Sequence, residues 1–205
     1  MKERSRLNNF WIKVPFAGIC IFLGLYVIAA CLYPGGSQAD ISAKGFSWIN
    51  NYWCDLLSEQ AKNGLYNTAR PVAVVSWLIL CFSLSVFWYF LPRLFLINVT
   101  GKKIIQFSGV GCMLITSFLF TSLHDVVIHI VVLFGFIALS GAYIGFYSNR
   151  MYGLFYAGVF CMFLMGMNYY IMLERNFVSY LPLIQKITFA IVLVWMFFIN
   201  RKLWS

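Results

Sequence analysis

The chain has 205 residues, of which 62% are apolar, 20% aromatic and only 10% charged. Soluble domains carry roughly 25% charged residues, so this composition excludes a soluble globular enzyme, and its hydrophobicity excludes disorder. What remains is a chain that uses the bilayer as solvent. The net charge of +9 does not point to nucleic acid, because the basic residues fall between long apolar runs and form no block.

An uncharged run of about 20 residues can cross the hydrocarbon core as a helix. Six such runs are expected to do so, at about 14–33, 71–92, 104–123, 126–149, 151–173 and 180–200. The fourth carries His129, and the sixth is interrupted by Lys186. None alternates with period two, so a β-barrel is not expected. Ile28-Ala29-Ala30-Cys31 resembles a lipoprotein cleavage box. The length of the first run, and the further spans after it, favour a membrane helix over a cleaved signal peptide.

The long connection, residues 34–70, is expected to be structured, since long loops usually carry structure or function. Phe46, Ile49, Trp53, Leu56 and Leu57 recur at helical spacing, while Asn51, Asp55 and Glu59 form an i, i+4, i+8 stripe. Asn63-Gly64 supplies a helix stop. The expectation is an amphipathic helix over about 46–62, lying at the outer interface, where Trp48, Tyr52 and Trp53 suit the headgroup depth. The fold class is therefore all-α: a single polytopic transmembrane domain over 1–205, with six spans plus one outer interfacial helix.

Charge sets the expected sidedness. Lys2, Arg4, Arg6, Lys13, Arg93, Lys102, Lys103, Arg150, Arg201 and Lys202 all fall on one face if the spans number six. By the positive-inside rule that face is cytoplasmic, with both termini. Asp40, Asp55, Glu59, Asp125 and Glu174 fall on the other face. A bacterial inner membrane is the expected location.

Several smaller signals leave alternatives open. Cys31 and Cys54 both lie near the outer face, where a disulfide would be permitted. Gly141 and Gly145 form GxxxG, which serves packing within the chain or between copies. Asn98-Val99-Thr100 matches a glycosylation sequon but falls on the cytoplasmic side. Lys186 either snorkels to the headgroups or turns inward towards Asp55, Glu59 or Asp125.

The two histidines of the chain, His124 and His129, fall within five residues of each other. His124-Asp125 reads as a two-residue polar tip between the third and fourth spans, and Asp125 and His129 are i, i+4. With Asp55 or Glu59 brought in from the long connection, two imidazoles and several carboxylates could meet at one membrane face. His124, Asp125, His129 and Asp55 are thus candidate ligands for a divalent metal, zinc above all. Asp55, Glu59 and Asp125 are candidate catalytic carboxylates. Metal-bound water would be activated near neutral pH, with a carboxylate as general base and a lipid headgroup-level bond as target. His124 and His129 are i, i+5, so shared ligation would require a break in the helix.

Two other readings stand beside this hydrolase. One is a non-catalytic sensor, assembly factor or accessory subunit, in which Asp125 and His129 only lock helix packing. The other is a transporter, against which counts the lack of Asp or Glu in the middle of any span. The expected partners are membrane lipids, with a second copy or another membrane protein possible, and no nucleic acid.

Tyr33-Pro34-Gly35-Gly36, then Tyr52-Trp53-Cys54-Asp55-Leu56-Leu57, then Asn67 with Arg70-Pro71 resembles the N-terminal half of bacterial six-span membrane proteins of unknown function. The resemblance covers about residues 14–92 and implies the six-span fold. The outer Asp/His group is similar in style to that of alkaline ceramidases and adiponectin-type receptors. Those membrane hydrolases have seven helices and a zinc held by three histidines, whereas this chain has two histidines and six expected spans. Only an Asp/His metal site near one membrane face is implied.

Overall fold

The computed structural model describes the backbone of residues 2–121, 123–174 and 177–204, and the side chains of 10–121, 123, 126–174 and 177–204. The described residues are helical apart from turns and coil, with two isolated bridges and no strands. The long helices are α1 (Lys2–Leu32), α2 (Arg70–Phe90), α3 (Val99–Thr116), α4 (His124–Ser148), α5 (Tyr152–Glu174) and α6 (Leu181–Trp204). Phe10–Leu32 of α1, Val126–Ser148 of α4, α5, and the segments Arg70–Leu94 and Val178–Trp204 that include α2 and α6 are long and apolar enough to cross a membrane.

The boundaries follow local chemistry. Pro71 sits in the first turn of α2, where its missing N–H costs nothing. Asn98, part of the sequon, caps α3 by accepting from the Gly101 amide at 2.7 Å. The apolar run expected to span 104–123 is not one helix. α3 ends at Thr116, and turns follow through Phe120. With Lys102, Lys103 and Gln106 in its first turns, α3, unlike the other long helices, holds no described segment long and apolar enough to cross a membrane. The expected two-residue tip at His124-Asp125 is also corrected. The backbone of both residues already belongs to α4, so the turn precedes them.

The helices form a ring of neighbours. α1 packs on α2 and α6, α2 on α3, α3 on α4, α4 on α5, and α5 on α6. In an apolar medium the interhelical contacts come from close packing and hydrogen bonds, since lipid is as apolar as the side chains. Both devices are present. Ser76 Oγ donates to the Phe22 carbonyl at 3.0 Å, joining α2 to α1. Trp77 Nε1 donates to Thr116 O at 3.0 Å, joining α2 to α3. Tyr143 OH donates to Gly158 O at 2.9 Å, joining α4 to α5, and Trp195 Nε1 to Leu154 O at 2.9 Å, joining α6 to α5. Asn200 Nδ2 and Trp204 Nε1 both donate to Ile12 O, closing α6 on α1.

The small residues act within the chain. A Cβ on Gly141 would lie 2.6 Å from Ile105, and one on Gly145 2.6 Å from Phe95. GxxxG in α4 therefore seats side chains of α3 and of the connection before it.

The expected amphipathic helix over 46–62 is absent. That stretch is coil and turns with one short 3-10 helix, Trp53–Leu57. Side chain-to-backbone bonds replace the helical ladder: Asn51 Oδ1 accepts from the Ser47 amide, and Ser47 Oγ from the Asn50 amide. Gly45 at φ +69° and Gly64 at φ +82° bracket the stretch with left-handed backbone.

Candidate functional site

Residues 33–69 fold into a cap over one end of the bundle. Its two arms are drawn together at Gly35 and Gly36. A Cβ on Gly36 would lie 2.3 Å from the Asn63 nitrogen, and one on Gly35 2.5 Å from the Ala43 oxygen. Both glycines have positive φ, so the Pro-Gly-Gly sequence serves a backbone-on-backbone approach.

Beneath this crossing lies a buried polar cluster. Asp55 is only 4% exposed. Its Oδ2 accepts from the Tyr52 amide at 2.9 Å and from Asn51 Nδ2 at 3.0 Å, and its Oδ1 lies 3.5 Å from Lys62 Nζ. The Asp55 amide returns a bond to Tyr52 O at 3.2 Å, so the carboxylate caps the turn that carries it. Asn51 Nδ2 also reaches Gly36 O at 2.9 Å. Asn67 Nδ2 donates to the carbonyls of Asp55, Leu56 and Ser58, while its Oδ1 accepts from the Ala69 amide. Asn51 and Asn67 are both fully buried, and an amide, with donors and an acceptor together, suits burial among free backbone groups.

The cluster is fastened to three helices. Lys186 of α6 is buried, and its ammonium donates to the carbonyls of Asn51 and Pro182 while lying over the Phe46 ring. Tyr26 of α1 donates to Trp53 O at 3.0 Å and stacks on the Trp53 ring at 4.8 Å. Phe22 and Phe189 extend that aromatic stack between α1 and α6. Arg70 Nε, at the start of α2, donates to Leu57 O at 3.1 Å. Tyr33 OH accepts from the Lys62 amide at 2.9 Å, and burial pushes its phenol above the usual range.

The other candidate residues are placed differently. Glu59 is exposed and pairs with Arg70 at 3.2 Å, outside the cluster. His129 lies on an exposed face of α4. The side chains of His124 and Asp125 lie outside the described residues. Their backbone and that of His129 belong to one continuous helix, which sets His124 and His129 about 140° apart around its axis. Among the described residues, no group of three His, Cys, Asp or Glu side chains is placed to hold a metal ion. The six cysteines are unbridged, Cys31 and Cys54 included.

No protein-family model, curated protein or solved structure matches the chain.

The arrangement does structural chemistry. Both Asp55 oxygens are committed to partners of the cap, and the adjacent ammonium of Lys62 offsets the charge. Asn51 and Asp55 were legible as an i, i+4 pair, and they do meet, but across a non-helical turn. Lys62 and Tyr26 were missed. A cation just before the Asn63-Gly64 reversal, in a segment already holding a buried carboxylate, was the available signal for Lys62. No local signal marks Tyr26, whose role depends on the chain returning over α1.

Proposed function

We propose that the protein is a six-crossing integral membrane protein of the bacterial inner membrane that works as a non-catalytic accessory or assembly subunit. Both termini are cytoplasmic, α3 completes the sixth crossing, and the cap faces outwards. One observation carries the reading: besides Leu56 and Leu57 the cap buries a polar cluster, and it leaves large apolar side chains on its surface. Its buried interior holds Asn51, Asp55 and Asn67, whose polar atoms bond to the cap itself, whereas Ile41, Trp48, Ile49, Leu65 and Tyr66 are exposed. Exposed apolar groups on a rigid frame suit contact with another membrane-embedded surface, and large aromatic side chains are typical anchors of such contacts. A carboxylate held by two N–H donors and a lysine is, by contrast, poorly placed to take up a substrate proton.

The test is native electrophoresis of gently solubilised membranes expressing the full chain. A complex larger than the monomer is expected, and Trp48→Ser with Ile49→Ser should dissociate it without lowering the thermal stability of the purified chain. Stoichiometric zinc in the purified protein, lost on His129→Ala, would overturn this reading in favour of the lipid hydrolase, as would a monomer unaffected by the substitutions.

A further inference from the structure

At the end of the bundle opposite the cap, a groove of about 490 Å³ lies between α5 and α6. Small residues on α5 make the room. Gly153 faces open space, and Ala157, one turn on, is exposed. The walls are Ala157, Phe160, Ile191, Val194 and Phe198, and the floor is formed by the buried Cys161 and Trp195. Among the described residues, the charged one in the lining is Lys202, at the end of α6. Ile191 to Lys202 covers about 16 Å of helix rise, close to half the roughly 30 Å hydrocarbon thickness of a bilayer. The groove thus runs from a basic rim to the middle of the membrane.

Two more cations lie near Lys202 in the chain or at the start of the facing helix. Arg201 precedes Lys202, and Arg150 stands just before α5. The first turn of α5 and the last turn of α6 carry no acid. An apolar trough one leaflet deep, ending in cations, complements one ligand class: an acyl chain attached to an anionic headgroup. Basic pockets between membrane helices recognise anionic lipids in this way. Lys202 need not give up its contact within the protein, because an ammonium has three donors.

We infer that the α5–α6 groove is a binding site for an anionic phospholipid, with one acyl chain along Ala157, Ile191 and Val194 and the phosphate at Lys202. The site is independent of the accessory role proposed for the cap.

Native mass spectrometry of the full chain in detergent, titrated with phosphatidylglycerol or phosphatidylcholine, tests it. A single tightly held phosphatidylglycerol is expected, with phosphatidylcholine bound more weakly. Lys202→Gln should lower phosphatidylglycerol retention about fivefold, as expected for one cation at a lipid surface. Lys202→Arg should preserve it, and Lys44→Gln, in the exposed cap, should have no effect. Ala157→Trp should remove the bound lipid by filling the trough. If that variant does not fold, Lys202→Gln against Lys202→Arg still decides. Equal retention of the two lipids, or retention unchanged by Lys202→Gln, overturns the inference.

Discussion

Asp55 and Glu59 are four positions apart, yet their surroundings differ completely. Asp55 is buried with two N–H donors and a lysine. Lys62 is 40% exposed, so water screens its charge once Asp55 has gone, and the cost comes from the Tyr52 amide and the Asn51 N–H that lose their acceptor, about 1–3 kcal/mol. Asp55→Ala should therefore lower stability by about 2 kcal/mol in thermal unfolding of the purified chain. Glu59 is exposed, and surface pairs are worth about 0–1 kcal/mol, so Glu59→Ala should leave the unfolding temperature almost unchanged. Asp40 offers a pH test. Hydrogen bonds from the Ser42 hydroxyl and amide hold its carboxyl below the usual range. A depressed folded-state value means the contribution is complete above the unfolded-state value and is lost as pH falls through the folded one. The protection factor of the Ser42 amide, its exchange rate corrected for the intrinsic pH dependence, should fall on acidification through that lowered range. In Ser42→Ala the onset should move to higher pH, because one donor has gone.

Among the elements, α4 shows how glycine spacing works in this bundle. Gly141 and Gly145 seat Ile105 and Phe95, and Phe95 is fully buried. The connection that carries Phe95 is tied to the end of α4 again through Asn149, which accepts from the Leu96 amide at 2.8 Å. Gly145→Leu would drive a side chain into the Phe95 ring. Overpacking of this kind costs about 1–3 kcal/mol, so a lowered unfolding temperature is expected. Light scattering of Gly141→Leu and Gly145→Leu should give the wild-type mass, because these glycines serve contacts inside one chain. A change of mass would show that they also face another copy.

For the whole molecule, the ring of six helices and the position of the cap make one topological prediction. In intact cells, a cysteine at Ser42 should react with a membrane-impermeant maleimide added outside. Cysteines at Arg93 and Arg201 should react only after permeabilisation. The background for these variants is the chain with its native cysteines replaced. Labelling of Arg201 and Ser42 positions from the same side would mean that α3 does not cross, and would leave five crossings.

The membrane class and the helical content follow from composition, because an apolar run of sufficient length is stable in lipid whatever its neighbours are. The long helices were legible for that reason, to within a few residues at most ends. The exceptions are α1, whose helix begins at Lys2 well before its apolar run, and α3, where the run continued past the helix end at Thr116. Apolarity sets the solvent of a segment but does not fix its backbone path. The cap shows the same limit more sharply. Periodicity over 46–62 put Ile49 with Leu56 and Leu57 on an apolar face and Asn51 and Asp55 on a polar one; Leu56 and Leu57 are buried, but so are Asn51 and Asp55, while Ile49 is exposed, and the backbone carrying them is mostly irregular. Only the tertiary structure decided that. Lys186, Tyr26 and Arg70 come from three separate helices, and the carbonyls they bond lie in a segment that forms no α-helix. Spacing along a chain records which groups seek burial, whereas the partners that make burial affordable for polar groups lie far away in sequence.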